Sequence, residues 1–199
     1  MHMNKLLLIL SVLTFQISVA QKVEHVFNVH FKTKDIGTIH AVEERFGTKS
    51  SKDLRTLTDA NILMMSIHVE SEVKSQHDNG ILTEGTSYRH ANRGAEDIHA
   101  RVSKMGDKLY QREKNGVKSK IERQEITNCV IDLFFREPKG VKTVFSNMYA
   151  DFLTLKEVGP GKYQLITPDK KDSYYTYKGG KLIMVESDTP LGKFTSKRN

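Results

Sequence analysis

Val23, His25, Phe27, Val29 and Phe31 alternate with Glu24, Val26, Asn28, His30 and Lys32. A period of two gives an extended chain one mainly apolar face and one mostly polar face, so this segment is predicted to be a half-buried strand. Val141, Thr143, Phe145 and Tyr149 alternate with Lys142 and Ser146 in the same manner. Ile62 to Ile67 differs, because Ile62, Leu63, Met64 and Met65 leave no polar face; that run predicts a central strand covered on both sides. Turn signals punctuate the chain at Asp78-Asn79-Gly80, Lys114-Asn115-Gly116, Gly159-Pro160-Gly161, Pro168-Asp169-Lys170, Lys178-Gly179-Gly180 and Pro190-Leu191-Gly192. Glycine and asparagine supply the positive φ of tight hairpin turns. The spacing between most of these signals leaves room for one strand, which is the pattern of an antiparallel β protein.

One segment breaks the period of two. Ile126, Val130, Leu133 and Phe134 recur at i, i+4, i+7 and i+8, with Thr127 or Asn128 as an N-cap and Glu137-Pro138 as a stop. This predicts one short helix near 127–136. Its apolar stripe has to be buried, and the inner face of the sheet is the large partner available. The expected fold is therefore mainly β. It is a single antiparallel, strongly curved sheet or half-open barrel of about 9 to 11 strands, plugged by the helix on its inner face.

Residues 1–20 are set apart as a signal peptide. Lys5 precedes the apolar run Leu6 to Val19, and Ser18-Val19-Ala20 places small residues for cleavage after Ala20. The run is shorter than the roughly 20 residues of a membrane-spanning helix, so a stable transmembrane anchor is not expected. The product would be exported, to the periplasm or beyond. Residues 21–194 form one β domain and 195–199 a frayed tail. With 38% apolar and 28% charged residues among 199, the chain has the composition of a globule, and its single Cys129 cannot form an intrachain disulfide. Charge is uneven: residues 21–100 carry 10 basic and 12 acidic side chains, residues 101–199 carry 20 and 12. The lysines fall near turn signals, as solvated charges do. No arginine-rich run interleaved with aromatics points to nucleic acid.

From Glu137 onward, Glu137-Pro138-Lys139-Gly140, Val144-Phe145-Ser146, Gly161-Lys162-Tyr163-Gln164-Leu165, Pro168-Asp169, Val185-Glu186 and Pro190-Leu191-Gly192-Lys193-Phe194 form a recognisable series. It resembles a family of exported bacterial proteins that carry a domain of unknown function, common in Bacteroidetes. Lys170 and Gly179 depart from the glycine and asparagine usual at those turns. The resemblance implies no activity. Glu137, Pro138, Gly140, Pro168, Asp169, Pro190, Leu191 and Gly192 read as structural positions, since proline and glycine at strand ends fix geometry. At the level of fold the layout is also similar to the half barrels of lipoprotein carriers, which hold acyl chains.

Candidate chemistry is sparse. His25, His30, His40, His68, His77, His90 and His99 show no H-x-H or H-x-x-x-H spacing, so no local metal motif is present. Neither G-x-S-x-G nor a complete S-x-x-K set occurs, and Ser50-Ser51-Lys52 reads as a polar turn. Cys129 reads as a small buried apolar residue. Glu43-Glu44, Glu70 with Glu72, and Glu122 with Glu125 are carboxylate pairs of the kind usually solvated. Tyr174, Tyr175 and Tyr177, with Met64, Met65, Met105, Met148 and Met184, supply material for either a core or a greasy cavity. No catalytic, cofactor or metal residue is named. The leading expectation is a non-enzymatic envelope protein that binds a hydrophobic or amphipathic ligand. The rival is an assembly or scaffold protein with a filled core.

Overall fold

The computed structural model describes residues 20–62, 65–92, 96–189 and 192–199. Eight strands come first: β1 (Gln21–Phe31), β2 (Lys34–Phe46), β3 (Lys49–Ile62), β4 (Met65–Asp78), β5 (Ile81–Ala91), β6 (Ile98–Gly106), β7 (Leu109–Lys114) and β8 (Val117–Glu122). After a 3-10 turn at Val130–Phe134 come β9 (Thr143–Ser146), β10 (Asp151–Gly159), β11 (Lys162–Ile166), β12 (Ser173–Lys178), β13 (Lys181–Thr189) and β14 (Gly192–Arg198). All fourteen belong to one antiparallel sheet in the order β8-β7-β6-β5-β4-β3-β2-β1-β14-β13-β12-β11-β10-β9. Two meanders are thus sewn together where β1 pairs with β14, Phe27 opposite Arg198 and Phe31 opposite Phe194. Hairpin pairing explains the consecutive order, and the turns carry the required geometry: Asn79-Gly80 and Asn115-Gly116 have positive φ at both residues.

The sheet is open, with β8 and β9 as its edges, yet it curls strongly. β7 and β10 stand eleven strand steps apart, which would separate them by about 50 Å in a flat sheet. In the fold Arg112 of β7 donates to the Ala150 carbonyl at 2.6 Å and pairs with Asp151 of β10 at 3.0 Å. Residues 126–129 run through the gap in extended form. Leu82 N–H donates to the Ile126 carbonyl and Phe145 N–H to the Asn128 carbonyl, both at 2.8 Å. Two apolar clusters fill the interior around this crossing. One gathers Phe27, Ile39, Leu133, Phe134, Leu155, Tyr163, Tyr175 and Tyr177; the other gathers Leu82, Val102, Tyr110, Ile126, Cys129, Ile131 and Phe145.

The predicted architecture is corrected in two respects. The sheet has fourteen strands, not 9 to 11, and the predicted helix near 127–136 is only a five-residue 3-10 turn among the described residues. Three of the four periodic positions are buried, Ile126 at 0%, Leu133 at 1% and Phe134 at 5% exposure, and Val130 is partly buried. Backbone partners decide the conformation instead: the Ile126 and Asn128 carbonyls accept from β5 and β9, and the Ile126 amide donates to the Tyr110 hydroxyl, leaving too few residues for a helix before Pro138. Ile62 ends β3 and Met65 begins β4, opposite each other, so the apolar run belongs to two strands; Leu63 and Met64 lie outside the described residues. Ser50-Ser51-Lys52 lies within β3 and not in a turn. The predicted frayed end is largely strand, since β14 continues to Arg198 between β1 and β13. Residues 1–19, all but the last residue of the expected leader, fall outside the described residues, and no described helix is long and apolar enough to cross a membrane.

Candidate functional site: a buried charge cluster beneath the 3-10 turn

Strand alternation puts Ile39, Ala41 and Glu43 on the inner face of β2, and Lys52 on that of β3. Glu43 and Lys52 are direct cross-strand partners, and Lys52 is in turn opposite Ser75 of β4. Ser75 and His77, two residues apart, are both buried. Asp132 reaches the same place from the 3-10 turn, held there by the chain's own geometry: Cys129 N–H donates to Asp132 Oδ2 at 2.7 Å, and Asp132 N–H donates to the Cys129 carbonyl at 3.0 Å. Four elements therefore converge on one point.

Lys52 is the hub. Its Nζ lies 2.9 Å from Asp132 Oδ1 and 3.4 Å from Glu43 Oε1, and all three side chains are at most 4% exposed. It also faces His77 Nδ1 at 3.5 Å. Two half-exposed arginines close the outer side: Arg45 pairs with Glu43 Oε2 at 2.9 Å and Arg136 with Asp132 Oδ2 at 3.2 Å. Burial alone would raise the pKa of Asp132, but Lys52, Arg136 and the Cys129 amide outweigh it and hold the carboxyl below its usual range. Burial, reinforced by Lys52, lowers the His77 pKa to about 4, so the ring is neutral at physiological pH. With Lys52 donating to Nδ1, the ring proton sits on Nε2 and faces Cys129 Sγ at 3.7 Å. Burial pushes the Cys129 thiol well up, and neighbouring Asp132 adds to it. A neutral thiol in a dry pocket is a poor nucleophile, so the Cys129–His77 contact is not an activated dyad.

His77, Cys129 and Asp132 do offer three metal-ligand atoms, all within 4.8 Å of one another. The spacing rules that search for local motifs could not find this trio, because its members come from β4 and from the turn. An ammonium already occupies the carboxylate, however, and the second imidazole nitrogen faces that same ammonium where a metal-bound histidine needs an acceptor. The arrangement suits Lys52 as its cation.

The remaining predicted positions take structural parts. Glu137 Oε1 accepts from the Tyr163 hydroxyl at 3.1 Å, and Pro138 is buried behind it. Gly140 has φ 73°, which favours glycine. Asp169 accepts from the Tyr149 hydroxyl at 2.7 Å and pairs with Lys171 at 3.0 Å, beside the exposed Pro168. Gly192, at φ 120°, lies where a Cβ would meet the Phe31 ring at 3.3 Å; Pro190 and Leu191 lie outside the described residues. Glu72 is engaged by Arg55 at 3.0 Å and Lys74 at 2.8 Å, and Glu125 by Lys104 at 3.7 Å. Tyr175 and Tyr177 are core, Tyr177 donating to the Leu133 carbonyl at 2.6 Å, whereas Tyr174 lies outside under Lys162 and Lys193. Met105 is 62% exposed.

A groove of about 630 Å³ opens across β1–β4, lined by Glu24, His40, Glu44, Asp53, Arg55 and Lys74 among others. Fold and site together define a curled, open antiparallel-sheet protein with two apolar clusters inside it and a buried ion cluster beneath the 3-10 turn. Residues 27–199 match the family described as Domain of unknown function (DUF6134), and the chain belongs to that family. No significant match was found among curated proteins, and none among solved structures.

Proposed function

We propose that this is an exported, non-enzymatic protein of the cell envelope that works as a scaffold, through its surface and not through a stored lipid. The observation that carries this reading is the filled interior. Phe27 and Phe134 meet edge to face at 5.5 Å, Phe134 and Tyr175 at 6.1 Å, Tyr163 and Tyr177 at 5.6 Å, and the 3-10 turn occupies the space between the meanders. An acyl chain would have to displace these contacts. The groove across β1–β4 falls in the size range of ligand sites but is walled largely by charges. Its floor carries a cross-strand ladder, Asp53–Arg55–Glu72–Lys74, of the kind that receives a polar partner segment. The leader at residues 1–20 supports export.

The test is native mass spectrometry of protein gently purified from the envelope, together with a fluorescent fatty-acid probe. The scaffold reading expects a chain beginning at Gln21, no co-purifying lipid and no probe binding. Stoichiometric lipid or saturable probe binding would overturn it in favour of an amphipathic ligand.

A further inference from the structure

We propose that Lys52 and Asp132 are the partners of an intramolecular amide cross-link, formed by condensation of the ammonium and the carboxylate with Glu43 as proton carrier. The inference does not depend on what the groove binds. It rests on three reacting groups held by three separate constraints in one buried cluster. The β2–β3 register sets Glu43 opposite Lys52. The hydrogen bonds between Cys129 and Asp132 set the carboxyl. Packing of Ile131, Leu133 and Phe134 presses the turn onto the sheet. Reactants fixed in this way have lost beforehand the freedom that makes amide formation between free groups slow.

The two oxygens of Asp132 stand in different surroundings. Oδ1 faces Lys52 Nζ at 2.9 Å, while Oδ2 receives the Cys129 amide at 2.7 Å and Arg136 at 3.2 Å. Oδ2 is thus the oxygen that remains as the amide carbonyl. Its two donors meet the negative charge that builds there when the amine adds to the carboxyl carbon, as the donors of an oxyanion hole do. Oδ1 is the oxygen that leaves. Glu43, 3.4 Å from Nζ, takes protons from the nitrogen and hands them to Oδ1, with neutral His77 at 3.5 Å as a further acceptor beside the nitrogen. Of the three ammonium protons, two depart with Oδ1 as water and one stays on the amide. The Nζ–Cγ bond forms, the Cγ–Oδ1 bond breaks, one cation and one anion are consumed, and Glu43 ends as the carboxylate it was, still paired with Arg45. No oxidant, metal or cofactor enters.

The environment favours the product. A buried ion pair whose side chains are at most 4% exposed carries a desolvation cost that a neutral amide does not. The bond would staple the turn between the two meanders to β3, in a chain whose lone cysteine provides no disulfide.

The experiment is the intact mass of the full chain under denaturing conditions, followed by peptide mapping after proteolysis. The cross-link predicts a mass one water below that calculated for the processed chain and a branched peptide joining Lys52 to Asp132. Lys52→Arg should restore the full mass. Glu43→Gln, checked for folding by circular dichroism, should leave the chain uncrosslinked or slow its conversion. A wild-type chain at full mass after prolonged incubation at neutral pH would overturn the proposal, as would a water loss that maps to any other position. The wild-type mass decides even if a variant fails to fold.

Discussion

The two meanders solve the same problem with different materials. β9–β14 are short strands that bury rings, with Tyr163, Tyr175 and Tyr177 all at most 6% exposed and the outer two anchored through their hydroxyls to Glu137 and to the Leu133 carbonyl. β2–β4 reach 13 or 14 residues and carry Glu43, Lys52, Ser75 and His77 on the corresponding inner face. Burying rings lowers free energy through area alone, whereas burying charges does so only while every partner is present. The lesson is that the aromatic half supplies cohesion, and the charged half supplies a position: it tells the crossing segment where to sit.

The comparison can be broken most forcefully at Phe134, which packs edge to face against both Phe27 and Tyr175. Phe134→Ala should cost about 4 kcal/mol in a urea melt of residues 21–199. A loss below about 1 kcal/mol would mean that the rings are not a packed core. Asp132→Ala comes next. It leaves Lys52 without its nearest carboxylate and the Cys129 amide without an acceptor, and should cost about 3 kcal/mol. Lys52→Met combined with Asp132→Leu should recover part of that loss, since Glu43 keeps Arg45 as its partner and only the Cys129 amide stays without an acceptor; a double variant as weak as the single one would remove the ion pair as the cause.

Acid should distinguish the halves. His77 stays neutral in the fold down to about pH 4, but once unfolded it takes a proton near pH 6.5. The unfolded state therefore binds more protons between those values, and stability falls as pH drops from 6.5 to 4, by on the order of 3 kcal/mol. In chain that has not condensed at Lys52, Asp132, whose carboxyl is held below its usual range, extends the loss at still lower pH as it is protonated. His77→Gln should flatten the slope between pH 6.5 and 4; an unchanged slope would place the acid sensitivity elsewhere. The smallest effect is expected from metal. Because Lys52 already serves as the cation beside Asp132, excess zinc should leave the melting temperature unmoved, and a clear rise would show that His77, Cys129 and Asp132 can displace it.

Much of the β architecture was legible in the chain. The alternation from Val23 to Phe31 marks β1, with Phe27 and Val29 buried, and Asn79-Gly80, Asn115-Gly116 and Gly179-Gly180 mark real hairpins. The strand count fell short because other turns use residues that give no such signal: Lys32 and Lys108 take φ of 57° and 50°. The helix was misread because a buried 3-10 turn and a buried helix share apolar positions, and the deciding factor, the claim of β5 and β9 on the backbone of 126–129, is non-local. The charge cluster was hidden for the same reason. Its one local trace is alternation: Glu43 continues the inward series Ile39, Ala41, and a charged residue at an inward position asks for a partner.

The central claim is that the segment under the curl is part of a solid core, locked by Lys52, and not a lid over a hollow. Hydrogen exchange at neutral pH on the amides of Cys129 to Arg136 addresses this directly. Protection equal to that of the core strands, lost together with them, is the result expected. Rapid exchange of this segment while β9–β14 remain protected would contradict the account.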